Sequence, residues 1–234
     1  MTKADQAASL SVKGRIITGL ALAGMMGVYI RALAYTPIEQ TQGPAQKIFY
    51  LHAPAAMTAL GAFAATGLAS IFYLWLRDQR VDLFAAASAE VGVVMSVILL
   101  TTGPIWGKPI WGTWWSWDAR LTSTLFIFLL FVGYLVMRGA LEEPVIRAQH
   151  SSVIGIMGLV LVPFIHLTVY MFRTLHPTPV ILKPSEPSMD SPMLATFLLS
   201  LAVYALLYIG LVVQRYALAV LREARSEEAA NGIS

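Results

Sequence analysis

Five of the six tryptophans in this 234-residue chain fall between positions 106 and 117. The stretch reads Trp106-Gly107-Lys108-Pro109-Ile110-Trp111-Gly112-Thr113-Trp114-Trp115-Ser116-Trp117 and closes on Asp118-Ala119-Arg120. A membrane-interface belt also collects tryptophan, but it spreads its aromatics over many helix ends. Tryptophans this dense, broken by glycines and ended by Asp-x-Arg, make a flat apolar platform carrying a few fixed polar groups. Such a platform suits a large planar ligand that is greasy in the middle and anionic at one edge. Two histidines, His52 and His176, lie on either side of it along the chain. A histidine in a loop can serve only as a hydrogen-bonding group, yet two neutral imidazoles can also bind one iron from opposite sides. For an anionic ligand edge, Arg120 is the best match, because a guanidinium pairs with a carboxylate through two hydrogen bonds. Arg173 is the next candidate, and Lys47 and Lys108 are weaker ones. Asp118 could orient an indole N–H or pair with Arg120.

Other chemistries drop out. Gly103 to Lys108 has three residues rather than four between its glycines, and Pro109 stands where a phosphate loop needs Ser or Thr, so nucleotide binding is rejected. The chain has no cysteine, which removes disulfides, thiolate metal sites and covalent attachment through Cys-x-x-Cys-His. A net charge of +3, scattered along the chain, gives no basis for binding nucleic acid.

The elements that must position these residues lie in a membrane. Hydrophobic residues make up 57% of the chain and charged ones 12%, with a mean hydropathy of +0.68; soluble domains carry about 25% charged residues. Six apolar stretches stand out, at about 16–35, 53–76, 84–103, 121–138, 153–172 and 193–213, each long enough to cross a bilayer as a helix. The expected fold is therefore all-α, a polytopic six-helix membrane bundle forming a single domain, with 214–234 as a short charged cytoplasmic helix or tail.

The N-terminal tail, the turns after helices 2 and 4 and the C-terminal tail hold ten of the sixteen Lys and Arg, so the positive-inside rule makes both termini cytoplasmic. Ala32-Leu33-Ala34 resembles a signal-peptidase site, but Arg31 directly before it favours an uncleaved first helix. The outer segments, about 36–52, 104–120 and 173–192, are long and hold the tryptophans, His52 and His176, whereas the inner ones are short connectors. Pro54 is read as lying in the first turn of helix 2, where proline is tolerated. His166 is read as satisfying a carbonyl freed at a Pro163 kink, His150 as solvated and Arg31 as snorkelling. Glu90, a carboxyl inside a span, remains unassigned among a water-filled pocket, a partner's helix and a proton path.

From Trp111 to Thr122 the sequence resembles the WWD signature of the haem-handling proteins of cytochrome c maturation. A six-span chain of this length most resembles the CcmC family of the bacterial system I pathway. The similarity covers almost the whole chain: Phe49-Tyr50-Leu51-His52-Ala53-Pro54-Ala55-Ala56 before helix 2, the tryptophan segment after helix 3, and Arg173-Thr174-Leu175-His176 after helix 5. The resemblance implies a bacterial inner-membrane protein that holds haem b transiently at its periplasmic face, with His52 and His176 as axial iron ligands. Trp106, Trp111, Trp114, Trp115, Trp117, Asp118, Arg120 and Arg173 would form the rest of the binding surface. It further implies delivery to the haem chaperone CcmE, work beside the ABC transporter subunits CcmA and CcmB and the one-span CcmD, and a handling role rather than catalysis. The rival reading is a membrane redox subunit with a permanent bis-histidine haem. Such proteins place their ligand histidines within helices, whereas the pair here is expected in loops.

Overall fold

The computed structural model describes residues 2–230 and Gly232, apart from 180, 182 and 184. It is built from six helices: α1 (Lys3–Ala34), α2 (Phe49–Leu76), α3 (Gln79–Trp111), α4 (Ala119–Ala140), α5 (Pro144–Met171) and α6 (Ser191–Ala230). No strand occurs among the described residues, and all six helices are long and apolar enough to cross a membrane. The all-α six-helix expectation therefore holds. At ~1.5 Å per residue, α4 spans a ~30 Å hydrocarbon layer with little to spare. By contrast α1, α3 and α6, with 32, 33 and 40 residues, must project beyond it.

Those projections change the expected boundaries. Residues 214–230 are helical, one of the two forms expected for this segment, and continue the sixth span without a break. Helix α3 runs on through Pro104 and Pro109 to Trp111, so only 112–118 remains non-helical in the segment expected as a loop. Each proline removes one rung of the hydrogen-bond ladder, and membrane helices tolerate that. The helix stops at Gly112, which adopts φ +75° and returns its N–H to the Lys108 carbonyl at 3.0 Å. Glycine takes this left-handed geometry without a Cβ penalty.

Helix α2 is the central element and packs against α3, α5 and α6, while α1 lies along α6 at the edge. One core joins Ala21, Ala55, Ala59, Met95 and Tyr204; a second joins Phe63, Ile127, Phe131, Tyr134 and Ile165. In the second, Phe63 of α2 stacks on Phe131 of α4 with ring centroids 3.9 Å apart. Because α2 begins at Phe49, Pro54 lies inside the helix rather than in its first turn, and the Tyr50 carbonyl loses its usual donor. Ser200 of α6 supplies a replacement, donating Oγ to Tyr50 O at 2.6 Å, which both satisfies the carbonyl and pins α6 to α2.

Candidate functional site

His52 was expected in a loop but lies one turn into α2, buried against α3, because the helix begins at Phe49, ahead of the expected boundary at 53. Its Nδ1 is 3.0 Å from Thr102 Oγ1. The Thr102 hydroxyl has one proton, and it points to the Ile98 carbonyl at 2.7 Å. With that proton on the Ile98 carbonyl, Oγ1 accepts from a His52 ring protonated at Nδ1, and the ring also interacts with the Leu99 carbonyl. The next residue, Gly103, makes room for the ring: a Cβ there would come within 3.3 Å of His52 Cε1. Trp106, one turn further on, meets the imidazole edge to face with centroids 5.6 Å apart.

His176 follows the end of α5, in the segment linking it to α6. Its Nδ1 donates to the Pro177 carbonyl at 3.0 Å, and since a carbonyl can only accept, Nε2 carries the lone pair. The ring is half-buried, 6.3 Å from Trp111 between centroids. Burial, reinforced by the nearby Arg120 charge, pushes the His176 pKa down to about 4, so the imidazole is neutral at physiological pH. Trp106 and Trp111 are five residues apart on α3, which puts them ~7.5 Å apart along the axis and ~140° apart around it. One helix end thus supplies a tryptophan to each histidine. Gly107 allows this, because the Trp111 ring folds back over it and a Cβ there would sit 3.1 Å from Trp111 Cε3.

Both imidazoles line one cavity between the ends of α2, α3, α4 and α5. Its walls include Trp106, Trp111, Trp114, Trp115 and Arg120, with Leu60, Leu99 and Ile165 at the apolar base. The indole N–H groups of Trp106 and Trp115 are buried without a partner, a cost that a bound acceptor would remove. The Arg120 guanidinium reaches the Ile165 carbonyl at 3.3 Å and acts electrostatically on both imidazoles.

The remaining candidates are dispersed. Trp117 is 76% exposed, set edge-on to Trp115 and off the cavity wall, and Arg173 is exposed and also off the wall. Asp118 neither orients an indole nor pairs with the Arg120 side chain. Its Oδ1 caps α4 by accepting from Arg120 N at 3.0 Å and Leu121 N at 2.9 Å, and its Oδ2 accepts from Leu175 N at 3.0 Å. Lys108 is turned to the Gly112 carbonyl, Lys47 to the carbonyls of Thr36 and Pro37, and Arg31 to Thr196 Oγ1. Glu90 pairs with Arg215 of α6 in the same chain, an arrangement outside the three that the sequence left open. His166 packs on the Tyr170 ring, while His150 is exposed and bonded to the Ile146 carbonyl. Thr102, Gly103 and Gly107 went unnoticed in the sequence. The signal was present, since 102 and 103 adjoin the tryptophan segment, but nothing linear connects them to His52.

Among the described residues no three His, Asp or Glu side chains converge as a metal site. Two imidazoles alone are a poor cage for a bare ion, whereas a porphyrin supplies its own four equatorial nitrogens and needs only axial ligands. The donor set, the aromatic walls and the single guanidinium fit such a group.

The family model described as heme exporter protein C matches residues 3–231. The curated heme exporter protein C of Haemophilus influenzae is 36% identical over 200 residues, covering 85% of this chain and 81% of the relative. That of Escherichia coli K12 is 35% identical over 184 residues, 77% and 75% of the two chains. The Bradyrhizobium diazoefficiens protein of the same name is 32% identical over 206 residues, 86% and 78%. With its six membrane-crossing helices and a match running nearly end to end, the chain belongs to the heme exporter protein C family.

Proposed function

We propose that this chain binds haem at the periplasmic face of the bacterial inner membrane, with His52 and His176 as the two axial ligands and the tryptophan walls as its bed. The family supports the coarser statement, a multi-pass haem-handling component of c-type cytochrome biogenesis that transports rather than transforms its cargo. The observation that carries the finer reading is the matched pair of tautomers. Each ring spends Nδ1–H on an oxygen acceptor, Thr102 Oγ1 or Pro177 O, and keeps Nε2 for coordination. Metal-ligating histidines are oriented in this way by their outer partners. Arg120 is the cation best placed for a propionate, since Lys47 and Lys108 already serve backbone carbonyls and Arg173 lies off the cavity wall.

With both axial positions filled, bound iron is held rather than opened to oxygen chemistry. The cargo is haem b, carried transiently and passed to CcmE. The push for release comes from the ABC subunits CcmA and CcmB with CcmD, since no nucleotide-binding motif occurs in this sequence. The bias of Lys and Arg toward the end that carries the termini supports cytoplasmic termini and a periplasmic site.

The test is an absorption spectrum of the purified chain, oxidised and reduced. A low-spin bis-imidazole spectrum is expected, lost in the His52→Ala, His176→Ala double variant; normal haem in that variant would overturn the ligand assignment. Loss on His166→Ala alone would instead favour a permanently buried redox haem.

A further inference from the structure

We propose that Asp118 is a latch on His176, so that the two imidazoles are unequal: His52 is the fixed ligand and His176 the releasable one. The proposal rests on the haem-binding reading above and concerns how that site lets go.

The asymmetry is built into the supports. His52 is part of a helix, its ring is hydrogen bonded to the neighbouring helix through Thr102, and its backbone cannot shift without moving α2, which contributes to both cores. His176 stands in a segment whose other bonds are local. Its Nδ1 bonds to the Pro177 carbonyl and its own carbonyl accepts from Thr174 Oγ1. Among the described residues, one hydrogen bond ties 173–179 to the rest of the bundle: Leu175 N–H to Asp118 Oδ2, 57 residues away in sequence.

Asp118 is well suited to this because its two oxygens divide the work. Oδ1 takes the two free N–H groups at the start of α4, which fixes the carboxylate rigidly, and Oδ2 is then aimed at Leu175. A charged acceptor makes that bond stronger than an amide–amide one. Breaking it detaches the residue next to His176 while leaving the tryptophan walls, Arg120 and His52 in place. A protein or ligand group that competes for Oδ2, or pulls on 173–179, would therefore lower the coordination from two imidazoles to one. Asp118 acts through His176 and is a positioning residue, outside the cavity wall itself.

Substitutions can separate latch from cap. Asn and Ser are as good as Asp at a helix N-cap. Asn, however, turns an N–H₂ donor toward the Leu175 N–H when its oxygen caps, and Ser has a single, shorter-reaching oxygen. The full chain carrying Asp118→Asn or Asp118→Ser is purified in detergent and loaded with haem. Both variants are expected to bind haem through His52 but to shift from a low-spin bis-imidazole spectrum toward a five-coordinate high-spin one. Haem loss to excess apomyoglobin should be at least about tenfold faster, equivalent to ~1.4 kcal/mol. In the haem-free proteins, amide exchange should rise over 172–179 and stay unchanged in the first turn of α4.

Wild-type spectra in both variants, with loss rates within about twofold of the parent, would overturn the latch. So would a loss of protection in α4 as well, which would mean that the carboxylate acts only as a cap. If the parent itself lacks a bis-imidazole spectrum, the ligand reading fails, and the releasable-ligand inference falls with it whatever the exchange data show.

Discussion

Toward the end of the bundle that carries the termini, several polar groups pair with one another across helices. Arg138 of α4 makes two 2.7 Å hydrogen bonds to the Asp82 carboxylate of α3, lies 5.6 Å over the Tyr134 ring, and leaves Asp82 2% exposed. Glu90 meets Arg215, and Ser88 meets both Tyr208 and the Ala62 carbonyl. At the opposite end, two indole N–H groups are buried unpaired, and the Arg120 side chain makes a single long hydrogen bond, to the Ile165 carbonyl. Closed pairs hold helices in register, whereas open valences around a cavity are what a ligand completes. The same bundle thus sets paired polar groups toward one end and an open cavity at the other.

The comparison can be broken most violently at the closed end. Arg138→Met leaves the Asp82 carboxylate buried alone, which costs roughly 3–5 kcal/mol. Unfolding in detergent should register that loss, and the double variant Asp82→Asn, Arg138→Met should recover much of it. The molecules that remain folded should keep the parent haem spectrum; if the spectrum changes too, the two ends are coupled.

The open end is more finely balanced. Thr102→Val removes the acceptor that fixes the His52 tautomer without changing the side chain's volume. Loss of such an outer partner typically lowers metal affinity about 10–100-fold. Haem titration should show this fall, and Thr102→Ser should rescue it; an unchanged affinity would mean that packing alone orients the ring.

The smallest effect expected concerns pH. In a His52→Ala background His176 is the sole imidazole ligand, and its pKa of about 4 keeps it neutral well into the acid range. Its haem affinity should therefore change less than about twofold between pH 7 and 5.5, whereas an ordinary pKa near 6.5 would give about a tenfold loss. The sign for stability follows from the same depression. Above pH 6.5 His176 is neutral folded and unfolded; as pH falls toward 4 only the unfolded chain takes up the proton, so the haem-free protein loses stability across that window. A flat stability profile from pH 6.5 to 4 would show that the ring is better solvated than its neighbours suggest.

Much of this was readable in one dimension. Apolar length determines that six helices cross a membrane, because a backbone in lipid must satisfy its own hydrogen bonds. The tryptophan segment with Asp-x-Arg and the two flanking histidines marked the site end, since these residue types are costly to place together without a ligand. Some local readings failed for local reasons. Prolines at 104 and 109 read as loop, yet a missing rung does not end a helix whose stop signal is Gly112.

What only the tertiary structure decided is which groups meet. His52 and Thr102 are 50 residues apart, Asp118 and Leu175 57, and Tyr50 and Ser200 150. Such pairs depend on how helices cross, and periodicity along one helix carries no record of its neighbour's register. Residue chemistry therefore nominated the candidate ligands, while packing decided which groups surround them.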